Sequence, residues 1–268
     1  MAEISIGITG VGGRMGRMLV AEIAAAQGCR LAGGSEAPGS ALLGRDIGEL
    51  AGIGPVGLTA TADAAALVAA ADVVIDFTLP AAALRHAALA AEHGKAMVIG
   101  TTGLDAAQAK ALESAAKRIA IVWAPNMSPA VTLLQSLVEE AARRLGEDYD
   151  IEVLEMHHHH KVDAPSGTAL ALGRAAAAGR GIDLASHSQR VRDGHTGARK
   201  PGDIGFATLR GGDVVGDHTV IFAGEGERLE LTHRAASRRI IARGAVRAAR
   251  WVMGRAPGLY GMKDVLGL

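Results

Sequence analysis

Aromatic residues are scarce in this chain: three Phe, two Tyr and two Trp among 268 residues. A surface that stacks nucleic-acid bases needs aromatic platforms. Net charge is zero, with 28 Lys+Arg against 28 Asp+Glu, so neither nucleic acid nor an anionic membrane is an expected partner. Cysteine is reduced to Cys29. That excludes an internal disulfide and fits a reducing cytoplasm, and the ordinary role for such a residue is a small buried one. Long apolar runs are missing too. The stretch from Ala64 to Ala71 is bounded by Asp63 and Asp72, far short of a membrane span. The start, Met1-Ala2-Glu3-Ile4-Ser5, is acidic and leads straight into a strand, so no secretory signal is expected. What the chain has in quantity is hydrophobic residues, 49%, and glycine, 36 residues. This is enough for one large domain or two small ones.

The densest chemistry lies between Glu152 and Ala169. Ile151, Val153 and Leu154 predict a strand that Glu152 and Glu155 interrupt. Then come His157, His158, His159, His160 and Lys161 without an apolar residue among them. Pro165-Ser166-Gly167-Thr168 closes the stretch and opens an alanine-rich helix expected over Ala169 to Ala178, with Ser166 as its N-cap. The first backbone N–H groups of such a helix, at Gly167 and Thr168, form an anion cradle. Proton donors, a cation and that cradle point to a small, negatively charged substrate that receives a proton. A purification tag is a competing explanation of four histidines, but this run is internal and flanked by a strand and a cap. A zinc site is another. Adjacent residues on an extended chain face opposite ways, and no Cys or second His cluster completes a ligand set, so no metal site is expected.

Upstream, Ile4 to Thr9 predicts a buried strand, followed by Gly10-Val11-Gly12-Gly13-Arg14-Met15-Gly16 and a helix expected from Arg17 to Ala26. Strand, glycine turn and helix are the context of a dinucleotide fingerprint. The strict G-x-G-x-x-G spacing fails at Met15, but Gly10, Gly13 and Gly16 recur at intervals of three. Leu31 to Gly34 predicts the next strand, and Glu36 stands where an acid would hold a ribose hydroxyl. Ser40 to Leu58 reads as an irregular surface excursion. Asp63 to Ala70, Pro80 to Glu92 and Leu104 to Lys117 predict helices. They alternate with strands at Val73 to Phe77, Ala96 to Ile99 and Ile119 to Val122, which specifies a doubly wound parallel sheet. Phe77-Thr78, Gly100-Thr101-Thr102 and Ala124-Pro125-Asn126 all lie at strand ends, where such sheets bind ligands. After Asn126 the pattern changes. A long helix from Ser128-Pro129 to Arg144 precedes strands at Ser188 to Arg192, Phe206 to Arg210, Val214 to Phe222 and Arg228 to Arg234. These predict a mixed or antiparallel sheet, with a glycine-rich loop at Gly194 to Gly202. Ile240 to Trp251 predicts a last amphipathic helix packed back on the first domain.

Together these residues resemble the 4-hydroxy-tetrahydrodipicolinate reductase family, long called dihydrodipicolinate reductase. The resemblance spans essentially the whole chain. It is strongest at Glu152-x-x-Glu155-x-His157-x-x-x-Lys161-x-Asp163-x-Pro165-Ser166-Gly167-Thr168-Ala169. It extends to Gly13-Arg14-Met15-Gly16, Gly100-Thr101-Thr102-Gly103, Gly194-His195-Thr196-Gly197, Ile204-Gly205-Phe206-Ala207 and Gly216-Asp217-His218-Thr219. It implies an α/β chain with a Rossmann-like dinucleotide-binding domain (1–127, completed by 239–268). The other domain, α+β with a mixed sheet (128–238), would bind substrate and form a homotetramer. His157 and Lys161 would be catalytic, and His158, Gly167 and Thr168 would bind a small dicarboxylate. NADH or NADPH would lie along Gly10, Val11, Gly12, Gly13, Arg14, Met15 and Gly16, with Glu36, Phe77, Gly100, Thr101, Thr102, Ala124, Pro125, Asn126 and Met127. His159 stands where many members have Arg. Ala37 stands where several have an Arg for the NADPH phosphate, so Glu36 with Ala37 favours NADH.

The implied activity is the NAD(P)H-dependent reduction that yields tetrahydrodipicolinate on the diaminopimelate route to lysine. It agrees with the residues, since a histidine titrating near neutral pH suits protonation of the carbon beside a hydride acceptor. The alternative from another class is a non-catalytic dinucleotide-binding redox regulator. It would keep the glycine turn and Glu36 and have no use for His157, Lys161 and the Ser-Gly-Thr cap together.

Overall fold

The structure, a computed structural model, describes residues 3–268; the expectation about Met1 and Ala2 lies outside the described residues. The chain forms two compact units. One runs to Ser128 and includes Arg239–Leu268; the other is Pro129–Arg238.

The first unit alternates β1 (Ile4–Thr9), α1 (Arg14–Ala25), β2 (Cys29–Ser35), α2 (Ile47–Ala51), β3 (Ala60–Thr61), α3 (Ala64–Ala70), β4 (Val73–Asp76), α4 (Pro80–Glu92), β5 (Ala96–Ile99), α5 (Ala106–Ala116) and β6 (Ala120–Trp123). The strands are continuous apolar runs because both faces of the sheet are covered. Alternation along each strand sorts the side chains. Ile6, Ile8, Val73, Ile75 and Val98 share one cluster with Leu19, Val20 and Ile23 of α1 and with Ala242, Ala245 and Ala249 from the chain's end, and Val74, Met97 and Ile99 pack with α3, α4 and α5. Each fully buried side chain of this size stabilises the fold by about 1.5–3 kcal/mol.

Element boundaries shift from expectation by a few residues in many places, and three differences have clear local reasons. α1 starts at Arg14 rather than Arg17, so Met15 and Gly16 lie in its first turn. α5 starts at Ala106 rather than Leu104, because Asp105 and Gln108 cap it reciprocally. The excursion from Ser40 to Leu58 is not wholly irregular. The Asp46 carboxylate accepts from the N–H groups of Gly48, Glu49, Val56 and Gly57, which starts α2 and buries Ile47 and Leu50.

In the second unit α6 (Pro129–Leu145) precedes β7 (Asp150–His157), α7 (Gly167–Arg180), β8 (Ser188–Gln189), β9 (Ile204–Arg210), β10 (Gly216–Gly224) and β11 (Glu227–Ala235). The sheet order is β11-β10-β7-β9-β8. β10 is antiparallel to β7 and β11, while β7, β9 and β8 run parallel. Both helices pack on one face, where Leu134, Val138, Leu172 and Ala176 meet Val153, Phe206, Val220 and Phe222. Leu154, Met156, Ala207, Leu209 and Ile221 point to the other face by alternation, and no described helix of this unit covers it.

The chain then returns to the first unit through α8 (Arg239–Val252), β12 (Gly258–Tyr260) and α9 (Met262–Leu266). β12 adds a parallel edge strand beside β6, completing a sheet of order β12-β6-β5-β4-β1-β2-β3. No strand pattern announced β12, since it is three residues long and bounded by glycine. The doubly wound parallel sheet and the mixed second sheet are both present as expected. No described helix is long and apolar enough to cross a membrane.

Candidate active site

In the second unit the chemistry gathers at the end of β7, on the face that α7 covers. Alternation puts Ile151, Val153, Glu155 and His157 on that face, and all four are buried. Glu155 is the hub. Its Oε2 accepts from His157 Nδ1 at 2.6 Å and from Arg210 at 2.9 Å. Its Oε1 accepts from a second Arg210 nitrogen at 3.0 Å and from the Ser166 N–H at 3.0 Å. Burial alone would raise the pKa of Glu155. The hydrogen bonds from Arg210, His157 and Ser166 outweigh it and hold the carboxyl below its ordinary range. An anionic Glu155 accepts at His157 Nδ1, which orients the ring and leaves Nε2 for another partner. Gly216 makes room for that edge, because a Cβ there would stand 2.9 Å from Nε2.

Ser166 caps α7, accepting from Ala169 N–H at 3.1 Å, a contact worth about 1 kcal/mol. Its hydroxyl is also 3.0 Å from His218 Nε2. Burial first, and then the neighbouring His157, push the His218 pKa down to about 4, so this ring is neutral and shares a hydrogen bond with the Ser166 hydroxyl. It meets His157 edge-on, with ring centroids 5.1 Å apart. Gly167 opens the helix and is exposed, and a Cβ on it would meet nothing within 4 Å. Lys161 Nζ pairs with Asp163 at 2.8 Å, and that hydrogen bond from Lys161 holds the Asp163 carboxyl low. Arg210 reaches the Asp163 carbonyl at 2.7 Å as well as Glu155, so one guanidinium links the signature's two ends.

Of the histidine run only His157 lies in β7; His158 follows the strand, and His159 and His160 form a turn. His158 turns to Arg238, which donates to its Nε2 at 3.3 Å. Desolvation and the Arg238 charge lower the His158 pKa. His159 and His160 are exposed, with ring centroids 3.8 Å apart. Among the described residues no group of three or more His, Cys, Asp or Glu side chains is placed to hold a metal ion. Glu152, the signature's first acid, points to the opposite face and pairs with Arg192 and Arg199 at 2.7 and 3.0 Å. That ties the loop containing Gly194 to the sheet.

In the first unit the glycine turn is held by its neighbours. Gly10 has φ +69, which only glycine adopts without strain, and Ser35 O accepts from the N–H groups of Gly10 and Val11 at 2.8 and 3.1 Å. A Cβ at Gly16 would stand 2.3 Å from Gly10 O, and one at Gly12 would meet Leu42 at 2.2 Å. Glu36 Oε1 accepts from Gly12 N–H at 2.6 Å. A cleft of about 560 Å³ lies beside this turn and is lined by Gly10, Gly13, Glu36, Phe77, Thr78 and Arg85, with others. Bare glycine backbone, a helix N-terminus and an acid at the next strand end suit a pyrophosphate and a ribose.

Asp76 organises the neighbouring strand ends. It is fully buried and accepts from Thr9 at 2.6 Å, His86 at 2.6 Å, Thr78 at 2.8 Å and Thr101 at 2.8 Å. Burial would raise its pKa, but these bonds, led by His86 and Thr9, hold it low. The Thr101 hydroxyl is therefore committed inside the protein. Val11, Ala124 and Met127 also bury their side chains, so a ligand can reach these residues only through backbone. Gly100 lies against the Phe77 ring, where a Cβ would be 2.0 Å from it. Gly100, Thr101, Thr102, Ala124, Pro125, Asn126 and Met127 do not line the cleft, but follow β5 and β6 farther along the same sheet edge.

The sequence gives no role to Glu155, Arg210, His218, Asp76 or Arg85, although Glu155 and His218 stand in the motifs that carry the resemblance. Glu155 was open to discovery, being two residues from His157 on an alternating strand and so on its face. The other four are brought in by topology from distant sequence.

The family described as dihydrodipicolinate reductase, N-terminus, matches residues 4–127, and its C-terminal counterpart matches 130–266. The first unit thus has a dinucleotide-binding Rossmann fold. A protein named 4-hydroxy-tetrahydrodipicolinate reductase from Afipia carboxidovorans is 57% identical over 268 residues, covering 100% of this chain and 98% of the relative. One of the same name from Parvibaculum lavamentivorans is also 57% identical, covering 100% and 99%. A solved dihydrodipicolinate reductase from Paenisporosarcina sp. TG-14, bound to dipicolinate, superposes with TM-score 0.78 at 25% identity, covering 98% of this chain and 99% of that one. The chain belongs to the dihydrodipicolinate reductase family.

Proposed function

We propose that this chain reduces 4-hydroxy-tetrahydrodipicolinate, by way of dihydrodipicolinate, to tetrahydrodipicolinate on the diaminopimelate route to lysine, using NADH or NADPH. The observation that carries the reading is the single carboxylate of Glu155, which binds both the His157 ring and the Ser166 N–H. It ties the proton donor to the start of the anion-binding helix.

The nicotinamide cofactor, held along Gly10 to Gly16 with Glu36 on the adenosine ribose, supplies the hydride. The chain does the rest. Gly167 and Thr168 at the start of α7, with Lys161, hold the substrate's carboxylates, and charge-assisted hydrogen bonds of this kind are the stronger ones. His158, uncharged beside Arg238, adds a polar contact. His157 delivers a proton from Nε2 to the carbon next to the one reduced, while its Nδ1–H remains on Glu155. His218 and Ser166 hold the ring edge and the cap in register. The dipicolinate seen in the Paenisporosarcina sp. TG-14 relative is a planar dicarboxylate, of the class this cradle suits.

We also propose a homotetramer, assembled through the uncovered face of the second sheet, because half-exposed Leu209 and its neighbours need a cover. We also place the chain in the cytoplasm, since Cys29 has no second cysteine in the sequence to form a disulfide with. The test is loss of nicotinamide absorbance with substrate freshly made by the preceding synthase. Tight cofactor binding with no turnover would sink the enzyme and favour a dinucleotide-sensing regulator.

A further inference from the structure

The exposed face of α8 is built from arginine alone. From Arg239 to Arg250 the exposed residues are Arg239, Arg243, Arg247 and Arg250, and every other position is at least half-buried. Spacings of four, four and three put them in one stripe. The acid that answers two of them is Glu22 of α1, itself buried, which accepts from Arg239 at 2.5 Å and from Arg243 at 3.2 Å. Among the described residues Arg247 and Arg250 have no hydrogen-bond or ion-pair partner. A face that serves only solubility mixes both signs of charge. Like charges a turn apart repel and destabilise a helix unless an anion offsets them.

This stripe is one wall of a cleft of about 850 Å³ with an apolar floor of Ile4, Ala25, Ala26, Val246 and Trp251. Trp251 is held in place, with Arg255 4.3 Å from its ring centre and Tyr260 edge-on at 5.2 Å. The cleft borders the amino ends of the strands, since Ile4 begins β1 and Gly28 precedes β2. The glycine turn follows the other end of β1, so the two sites are separate.

We propose that this cleft binds a nucleoside polyphosphate. Arg247 and Arg250 grip its phosphates through bidentate hydrogen bonds, the Arg239–Glu22–Arg243 cluster sets the charged edge, and the flat base lies on the apolar floor beside Trp251. Arginine's planar fork matches phosphate oxygens, and the volume of this open cleft is in the range of small-molecule sites. The chain's zero net charge argues for a small ligand over nucleic acid.

Calorimetric titration of the full chain, with its dinucleotide site saturated by NADH, tests this with ATP, pyrophosphate and adenosine as probes. ATP should bind one per chain with Kd below about 100 µM, pyrophosphate more weakly, and adenosine most weakly. Arg247→Ala with Arg250→Ala should weaken ATP at least about tenfold with reductase turnover unchanged. The paired lysine variants, which keep charge and lose the fork, should recover part of that loss. ATP binding that NADH abolishes, that ignores the alanine pair, or that a short duplex RNA exceeds would overturn the proposal.

Discussion

Glu155 and His157 stand two residues apart on one face of β7, and Glu155 Oε2 lies 2.6 Å from His157 Nδ1. Replacing either tests the proposed proton donor. His157→Gln should lower turnover by about 10²–10⁴-fold, the usual worth of general acid catalysis, with little change in KM. Glu155→Gln keeps the shape but offers an amide in place of a second carboxylate oxygen. It should lower turnover by about tenfold or more, alter the pH profile of kcat and leave KM near that of the parent. It should also destabilise the fold by about 1–3 kcal/mol, since Arg210 loses its buried anion. A Glu155→Gln protein with the parent pH profile would show that the carboxylate has no part in orienting His157.

The substrate cradle is tested at Gly167. Ser166 has φ −62 and ψ 154, a conformation that tolerates a following proline. A Cβ at Gly167 meets no neighbour. Gly167→Pro should therefore fold, with its melting temperature near that of the parent, while lacking one N–H at the helix start. KM for substrate should rise about tenfold, the order of one charge-assisted hydrogen bond. Lys161→Ala should raise KM and lower turnover together. If both variants keep parent kinetics, the carboxylates are held elsewhere.

His218 gives a pH signature. Its pKa falls from the ordinary 6.5 to about 4 in the folded protein, so the unfolded chain binds the extra proton between those values. The burden of burying a neutral histidine is absent above about pH 6.5 and grows as pH falls toward 4, reaching about 3 kcal/mol. His218→Asn, which does not titrate there, should flatten the loss of stability between pH 6.5 and 4. Denaturant unfolding at both pH values measures it. A parent and variant with parallel losses would mean that other groups dominate the acid limb.

The assembly is tested at Leu209, 47% exposed on the uncovered sheet face. Leu209→Glu should shift the sedimenting species from tetramer to smaller forms, because a charge buried in a dry interface costs several kcal/mol. A parent protein that sediments as a monomer at micromolar concentration would refute the assembly.

Much of this fold is legible in local sequence. Pro80 and Glu92 bound α4 as expected, Asp63 and Ser166 cap their helices, and the apolar runs at Val73 and Ala96 are strands where read. Local pattern suffices there because period and cap chemistry agree. It fails at β12, where pairing with β6 rather than propensity makes a strand, and at α2, where the Asp46 carboxylate caps the helix and also holds the N–H groups of Val56 and Gly57 from beyond it. The site divides the same way. His157, Lys161 and the cap are contiguous and could be read. Arg210 and His218 come 53 and 61 residues after His157, and only the pairing of β7 with β9 and β10 delivers them. Glu155 stands in the signature without a legible role, since a charge in a strand looks like an interruption until its partners are known.

Cofactor choice turns on Glu36. Its carboxylate accepts from Gly12 N–H and borders the cleft beside Ala37. A ribose hydroxyl can donate to it, while the 2′-phosphate of NADPH would meet a like charge. Arg14 is exposed at the first position of α1, and Arg85 lines the cleft from α4. Both are cations that can partly offset that contact, so both cofactors should support turnover with NADH favoured in kcat/KM. Ala37→Arg should move the ratio toward NADPH by about tenfold, the worth of one well-placed guanidinium–phosphate pair. Arg14→Ala and Arg85→Ala should each reduce kcat/KM for NADPH more than for NADH. Steady-state kinetics with both cofactors on the four proteins settles the matter. A parent that prefers NADPH by tenfold or more, with neither alanine variant changing the ratio, would place the phosphate pocket outside this cleft.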